Sequence, residues 1–228
     1  MFNEEETLDT LLSAVEARAD IVSEIVIIDD ASSDRTPEIL AQRPQALPTV
    51  IVRHERNQGK GAAIRTGIDH ASGDYLLIQD ADLEYSPDDY PRLLEPVYQG
   101  RTEVVFGTRS FGGHAAYSFW FVVGNRLVTL ATNVLFNAYI RDMETCFKLL
   151  PLATWRRLDL RAARFGVEPE VAGKLLARGE RIFEVPIAYN ARSRTEGKKL
   201  TWTDGIKALG VLLAVRAGVW DSITRPRR

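Results

Sequence analysis

Residues 74–84 read DYLLIQDADLE, a short apolar run that passes directly into three carboxylates. Such a run is typical of a buried strand. Asp80 and Asp82 stand two positions apart at its end, so their side chains lie on one face, and Glu84 repeats the spacing. Carboxylates grouped in this way suit a hard divalent cation such as Mg²⁺ or Mn²⁺. An ordinary acidic turn before a helix capped by Ser86 is the alternative.

Strands and helices alternate through the first half of the chain. Strands that alternate with helices predict an α/β fold with a doubly wound, mostly parallel sheet and helices on both faces. Such sheets bind ligands at the carboxyl ends of their strands. Acidic and glycine-rich segments fall at those ends, which predicts one composite site. The predicted strands are 24–29, 49–53, 74–79 and 103–107, and the predicted helices are 4–18, a short one capped by Thr36, 59–71 and 87–98.

The second half of the chain is less regular. Residues 115–140 are mostly apolar and contain one charged residue, Arg126, and a charge at the middle of a membrane span is costly. We therefore expect one or two helices that are buried or lie against a membrane surface without crossing it. A strand near 147–150, a helix over 167–177, a strand over 181–188 and a helix over 206–219 are predicted to follow.

The composition excludes several classes of protein. Of the 228 residues, 45% are hydrophobic and 26% are charged, which is typical of a globular chain. A net charge of −2 argues against nucleic-acid binding, which needs a basic face. The single cysteine, Cys146, excludes an internal disulfide and a thiolate zinc site, and we expect it to be a buried core residue. The acidic start is unlike a signal peptide, so we expect a cytoplasmic protein.

Two further segments at strand ends carry candidate binding groups. The adjacent carboxylates of Asp29 and Asp30 repel each other, so they need partners such as ribose hydroxyls or base N–H groups. A turn that begins at Asp30 is the alternative. Residues 59–61 read Gly-Lys-Gly, which could place Lys60 and a helix N-terminus against a phosphate. The two glycines could equally serve a tight turn.

Residues 192–199 form a basic segment with four cationic side chains and one acidic one. Arginine and lysine on a glycine-containing loop suit the capture of a phosphate as the loop closes. A solvated surface loop is equally consistent with this composition. The sequence contains no internal repeat and neither a complete dinucleotide fingerprint nor a P-loop.

In this order and spacing, the motifs resemble family 2 glycosyltransferases of the GT-A fold, in the branch of the dolichol-phosphate mannose and glucose synthases. The resemblance covers nearly the whole chain. The matching segments are FNEE (2–5), IIDDASSD (27–34), NQGKG (57–61), DADLE (80–84), GTR (107–109), RDMETCFK (141–148), EPE (168–170) and EVPI (184–187).

The resemblance implies a role for each matching residue. Asp142 matches an aspartate beside the reacting sugar, and it is expected to be catalytic together with Asp82. The nucleotide pocket is expected to contain Phe2, Glu4, Ile28, Asp30, Lys60 and Asp80. Asp80, Asp82 and Glu84 are expected to hold Mg²⁺ or Mn²⁺, and the residues expected to bind phosphate are Arg109, Arg126, Arg194 and Lys198.

The implied reaction is the inverting, metal-dependent transfer of a sugar from a UDP- or GDP-sugar to a polyprenyl phosphate. Transfer to a saccharide hydroxyl in cell-wall or exopolysaccharide synthesis, with Asp142 as general base, is one alternative. A sugar nucleotidyltransferase and an inactive nucleotide-binding scaffold are two others. The implied partners are a nucleotide-sugar donor, a lipid acceptor and a membrane surface, contacted peripherally from its cytoplasmic side. A second copy of the chain is also a possible partner, and nucleic acid is not expected.

Two features depart from the family pattern. The family normally has a strand just before the Phe-Asn-Glu motif, so we expect the first strand of the sheet to be missing here. Cys146 stands where many relatives have glycine, which indicates a sub-branch whose substrate is unassigned. We expect one catalytic domain over 1–228. Its expected parts are a nucleotide-binding half (1–110), an acceptor-binding half (111–200) and a C-terminal helix with a basic tail (201–228).

Overall fold

The computed structural model, which describes residues 1–109, 114–115, 119–191 and 202–219, has an α/β fold. A 3₁₀ turn, Pro87–Asp89, precedes the fourth helix. The strands are β1 (Ile25–Asp29), β2 (Thr49–Arg53), β3 (Tyr75–Leu77), β4 (Val105–Thr108), β5 (His114–Ala115), β6 (Lys148–Pro151), β7 (Phe183–Pro186) and β8 (Tyr189–Asn190). The helices are α1 (Leu8–Glu16), α2 (Thr36–Gln42), α3 (Lys60–His70), α4 (Tyr90–Tyr98), α5 (Phe119–Phe136), α6 (Leu152–Arg157), α7 (Val167–Ala177) and α8 (Trp202–Arg216).

The strands pair mostly in parallel, as predicted, but they do not form one continuous sheet. β1 pairs with β2 in parallel, and β5 pairs with β8 in parallel. The central sheet has the order β3-β6-β4-β7, in which β6 runs antiparallel to both of its neighbours. The sequence pattern predicts that β3 and β4 belong to one parallel sheet as successive strands. They are not neighbours, because a strand from the second half of the chain lies between them.

Helices cover both faces of the central sheet, because its strands carry apolar side chains on alternating sides. In β4, Val105 packs with Leu11 of α1 and Leu93 of α4. The next residue, Phe106, belongs to the other core, together with Trp155 of α6. A strand that is apolar on both faces must be buried on both, which is the layered arrangement that the sequence predicted.

Most helix boundaries agree with the sequence patterns. The helix predicted over 167–177 is α7, and the apolar stretch 115–140 contains one helix, α5. The hydroxyl of Ser86 accepts a hydrogen bond from the backbone N–H of Asp88 (3.2 Å), so Ser86 caps the 3₁₀ turn as expected. Thr36, expected as the cap of α2, is instead its first residue. Its N–H donates to the carboxylate of Asp34 (3.0 Å). In the described ranges, every helix is too short or too polar to cross a membrane.

A cavity of about 700 Å³ is lined by both β1 and β3. Each of these strands has only one strand partner in the described part of the chain, so each leaves one edge free. Met1 occupies the end of the free edge of β1. Its amino group donates to the carbonyl oxygen of Ile28 (2.7 Å), and its own carbonyl accepts from the N–H of Asp30 (2.9 Å). The gap agrees with the expectation that the sheet lacks a strand at this place.

We expect an added strand to stabilise the protein. A five-residue Val/Ile extension joined to Met1 can continue along the free edge of β1 and bury apolar side chains in the cavity. The melting temperature should rise by several degrees, since about 1 kcal/mol corresponds to roughly 2–4 °C for a chain of this size. The control is an extension of equal length that contains prolines, which cannot donate to a strand ladder. Equal melting temperatures for the two extended proteins would contradict the expectation.

Candidate active site

The polar end of this cavity collects residues from distant parts of the sequence. It lies where the loops after β1, β3 and β4 meet the start of α3. All of the predicted nucleotide-binding and metal-binding residues line this cavity, and so does one predicted phosphate-binding residue. These residues are Phe2, Glu4, Ile28, Asp30, Lys60, Asp80, Asp82, Glu84 and Arg109.

The N-terminal segment is fixed by the turn after β1. The N–H of Asn3 donates to the hydroxyl of Ser32 (2.9 Å), and the N–H of Ser33 donates to the side-chain oxygen of Asn3 (2.8 Å). Asn3 adopts a φ of 56°, a conformation that asparagine tolerates better than most residues. These two hydrogen bonds hold Phe2 and Glu4 at the wall of the cavity.

The buried carboxylate of Asp30 ties β1 to the loop that precedes α3. It accepts hydrogen bonds from the N–H groups of Gln58 (2.9 Å) and Gly59 (2.7 Å), and Nδ1 of His54 lies 2.7 Å from it. Burial raises the pKa of Asp30, but these hydrogen bonds outweigh burial and the pKa is lowered. The turn that the sequence allows at Asp30 is instead formed with Asp29. The carboxylate of Asp29 accepts a hydrogen bond from the N–H of Ser32 (2.9 Å).

Asp80, Asp82 and Glu84 form an acidic cluster in which the negative charges repel one another. Burial and the charges of Asp80 and Glu84 raise the pKa of Asp82 to about 7. Asp80 is paired with a lysine, and Glu84 accepts a hydrogen bond from the hydroxyl of Tyr189 (2.9 Å). Three His, Cys, Asp or Glu side chains do not converge as a closed metal site anywhere in the described ranges. An all-oxygen set with excess negative charge nevertheless fits an open Mg²⁺ or Mn²⁺ site at Asp80 and Asp82.

Lys60 joins three elements at the polar end of the cavity. It is the first residue of α3, and its Nζ lies 2.7 Å from Oδ2 of Asp80 and 2.7 Å from Oε1 of Glu168 in α7. Burial lowers the pKa of Lys60, but the two carboxylates outweigh burial and raise it. Lys60 is therefore a fixed cation at a helix N-terminus, which suits contact with a phosphate.

The turn before α3 requires glycine at two positions. Gly59 adopts a φ of 89°, and a Cβ there would lie 2.6 Å from the carbonyl oxygen of Ala163. A Cβ on Gly61 would lie 2.0 Å from the carbonyl oxygen of Ala162. The tight turn that the sequence offered as an alternative is present, and the same turn places Lys60 at the cavity.

Asp142 lies behind the cavity wall and holds Arg109, which reaches the cavity. Nη2 and Nε of Arg109 each lie 2.7 Å from one carboxylate oxygen of Asp142, and the N–H of Arg109 donates to the same group (3.0 Å). The side-chain amide of Asn125 adds a fourth hydrogen bond (3.1 Å). A carboxylate has about four lone-pair sites, and here all are used. Burial raises the pKa of Asp142, but Arg109 outweighs burial and lowers it. The catalytic role of Asp142 stays a prediction.

Glu144, Glu168 and Tyr189 also line the cavity, and no role was predicted for them from the sequence. Burial and the charge of Glu168 raise the pKa of Glu144 to about 7. The ring of Tyr189 lies under the guanidinium of Arg109, whose central carbon is 5.0 Å from the ring centre. Both glutamates belong to matching motifs, but local sequence does not separate a cavity carboxylate from a surface one. Tyr189 belongs to none of the matching segments.

The other predicted residues lie elsewhere. Arg126 is exposed on α5 and does not line the cavity. Arg194 and Lys198 lie outside the described residues. Cys146 is buried and free, as expected, and burial raises the pKa of its thiol.

Residues 1–149 match the model of a protein family described as glycosyl transferase family 2. The chain is 27% identical over 202 residues to a dolichol-phosphate mannosyltransferase of Pyrococcus furiosus, a match that covers 86% of this chain and 56% of that protein. It is 32% identical over 205 residues to an undecaprenyl-phosphate 4-deoxy-4-formamido-L-arabinose transferase of Pseudomonas aeruginosa, covering 87% and 58%. The chain thus spans just over half the length of these relatives.

Solved structures share the fold. Glucosyl-3-phosphoglycerate synthase from Mycobacterium tuberculosis in complex with UDP gives a TM-score of 0.74 at 19% identity, over 95% of this chain and 78% of that one. The complex of that enzyme with Mn²⁺, UDP-glucose and phosphoglyceric acid gives 0.69 at 18% identity, over 95% and 77%. Identity at this level shows the fold alone, and the expected GT-A fold is confirmed. Since the family model matches more than half of its residues, the chain belongs to glycosyl transferase family 2.

Proposed function

We propose that this chain transfers a sugar, with inversion, from a UDP- or GDP-sugar to a polyprenyl phosphate. The observation that carries the proposal is the convergence of Lys60, Arg109 and the pair Asp80 and Asp82 at one end of a cavity. A nucleoside diphosphate needs cationic side chains and a site for a divalent cation, and this end of the cavity offers both. The relatives whose names contain polyprenyl phosphates support the lipid acceptor.

The donor half of the site is assigned to residues 1–110. Phe2 and Ile28 would exclude water from the base, and Glu4 would reach the ribose. Asp30 would act on the nucleotide partly through the loop that it holds before Lys60.

The divalent cation would be held by Asp80 and Asp82, with Glu84 beside them. Bound Mg²⁺ or Mn²⁺ supplies Lewis-acid stabilisation of the leaving diphosphate. The side chains of Lys60 and Arg109 bind and orient phosphate oxygens. As the acceptor oxygen bonds to the anomeric carbon on one face, the bond to the diphosphate oxygen breaks on the other.

The acceptor half of the site is assigned to residues 111–200, and its geometry favours a phosphate over a hydroxyl. A sugar hydroxyl needs a general base, but the carboxylate of Asp142 already accepts four hydrogen bonds. A phosphate monoester has a second pKa of about 6, so it is largely anionic without a base. It needs an oriented cation, and Asp142 orients Arg109.

The exposed apolar face of α5 and α8 supports an acceptor at a lipid surface. The two helices pack together, and Trp120, Leu130 and Val134 on α5 and Leu213 on α8 are all more than half exposed. The alternative that the aromatic residues of this stretch form core does not hold for Trp120, which is 77% exposed. The exposed cation Arg126 on α5 suits anionic headgroups. We assign this face to peripheral contact with the cytoplasmic side of a bilayer.

Nucleotide binding is the first test of the donor site. Calorimetry with UDP and GDP should show binding of one of them that requires Mn²⁺. Lys60→Gln should weaken that binding by about tenfold or more, because it removes a charged contact. Lys207→Gln, which changes an exposed lysine on α8, should leave it unchanged. Binding of neither nucleotide would contradict the proposal.

Product analysis with a panel of UDP- and GDP-sugars tests the reaction. With undecaprenyl phosphate in detergent, we expect release of nucleoside diphosphate and a labelled sugar on the lipid. Release of pyrophosphate would instead indicate a sugar nucleotidyltransferase. Labelling of a saccharide and not of the lipid would favour the hydroxyl acceptor, and release of neither product would favour the inactive scaffold.

The raised pKa of Asp82 predicts a pH-dependent stability. Between its ordinary value of 3.8 and about 7, the folded chain keeps a proton that the unfolded chain has lost, so stability falls as pH rises through this range. Asp82→Asn should therefore melt higher than the parent protein at about pH 8 in chelator, and the gain should shrink toward about pH 4. Added Mn²⁺ should stabilise the parent more than the variant. A gain that does not depend on pH, or that Asp20→Asn reproduces, would contradict this.

Vesicle binding tests the apolar face. Combined Trp120→Ser and Leu130→Ser should lower retention on vesicles that contain anionic lipid by about tenfold, because both side chains would leave the interface. The control is Tyr98→Ser, which changes a similarly exposed aromatic residue on α4. If retention is unchanged, and the double variant instead turns a dimer into a monomer, the face contacts a second copy of the chain and the lipid assignment is wrong.

A further inference from the structure

Helix α7 carries a buried ion pair outside the site described above. Oε1 of Glu170 lies 2.7 Å from Nζ of Lys174, and the two side chains are 0% and 1% exposed. Neither residue lines the cavity. Replacing such a pair by apolar residues of similar size is often neutral for stability or even favourable. The pair therefore invites an explanation other than stability.

Both side chains hold the backbone between α6 and α7. The carboxylate of Glu170 accepts two backbone N–H groups, at 2.8 Å each, and Nζ of Lys174 donates to two carbonyl oxygens, at 2.9 and 2.7 Å. Asp159, the second residue of this segment, has a φ of 46°, which is uncommon outside glycine. The four backbone groups held by the pair belong to Arg161, Ala162, Leu158 and Asp159.

The held segment packs on the turn that carries Lys60. The N–H of Ala62 donates to the carbonyl oxygen of Ala163 (3.2 Å), and Nη1 of Arg65 donates to that of Ala162 (2.7 Å). The N–H of Ala62 belongs to the first turn of α3, where no partner exists within the helix. The close approach at the two glycines of this turn leaves little room for either backbone to shift.

We infer that Glu170 and Lys174 are positioning residues for Lys60. They hold backbone groups within residues 158–162, and the carbonyl oxygens of Ala162 and of the adjacent Ala163 accept hydrogen bonds from α3. The same helix also contributes Glu168, whose carboxylate lies 2.7 Å from Nζ of Lys60. The backbone and the ammonium of Lys60 are thus both held from α7. The inference rests on the proposed function, in which Lys60 binds the donor diphosphate.

The test replaces the pair by apolar residues of similar size, Glu170→Leu with Lys174→Met, which leaves no buried charge without a partner. The four backbone groups then lose their partners, so the segment must shift to satisfy them. Amide hydrogen exchange at Ala62 and Ala162 should become faster. The Kd for UDP or GDP with Mn²⁺ should rise about tenfold, the loss expected for one charge-assisted hydrogen bond, with an unchanged stoichiometry.

Two controls separate positioning from general stability. Leu40→Ala removes a buried side chain of α2, in a core cluster that contains no residue of α7, and should lower the fraction of protein that binds without changing the Kd. Asp204→Leu with Lys207→Met removes an ion pair at the surface of α8, in which Lys207 is exposed, by the same kinds of substitution and should change neither readout. If the double variant in α7 does not fold, Glu170→Gln, which keeps one acceptor oxygen, should change both readouts in the same direction by less.

The outcomes distinguish this inference from the proposed function. Unchanged exchange at Ala62 would overturn the inference, and so would faster exchange with an unchanged Kd. If the parent protein binds neither UDP nor GDP, the proposed function fails. Faster exchange at Ala62 in the variant would then still support the role of the pair in holding the turn at Lys60, and unchanged exchange would overturn it.

Discussion

The ammonium of Lys60 lies between the carboxylates of Asp80 and Glu168, and the candidate site depends on this arrangement. The three residues come from α3, from the loop after β3 and from α7, so one set of charges links the two halves of the chain. These side chains are at most partly exposed, so removing one of them leaves the charges of the others unbalanced, which is unfavourable. Lys60 also limits the repulsion among Asp80, Asp82 and Glu84, which share one short loop. The charges that link these three elements are therefore the same ones to which the proposed function assigns the cation and the diphosphate.

The antiparallel strand β6 explains how the second half of the chain reaches this loop. In a parallel sheet, the segments that follow the strands meet at one edge. Because β6 runs opposite to β3 and β4, the segment that precedes it arrives at that same edge. This segment carries Asp142 and Glu144 to the cavity region. A parallel strand in this position would have placed them at the opposite end of the sheet.

Local sequence predicted most elements and the polar end of the cavity, but not the partners within it. The strand β2 and the helix α7 agree with their predicted bounds because their apolar patterns are strong and local. The insertion of β6 depends on pairing between distant strands, which no local pattern contains. The order of the motifs predicted that Asp80, Asp82, Lys60 and Arg109 lie near one another, and all four line the cavity. The raised pKa of Glu144 and the four hydrogen bonds that Asp142 accepts depend on groups from other elements, so local sequence could not predict them.

Helix α5 lies between the residues that hold Arg109 and the molecular surface. On one side, Asn125 donates to the carboxylate of Asp142, which in turn orients Arg109. On other sides of the same helix, Trp120 and Leu130 are exposed to solvent. A lipid phosphate has an anionic head that needs a fixed cation and an apolar tail that needs an apolar surface. Helix α5 contacts the residue that orients Arg109, and it also carries exposed apolar side chains. A water-soluble saccharide would have no use for the exposed apolar side chains. The proposed acceptor follows from that pairing of features on a single helix.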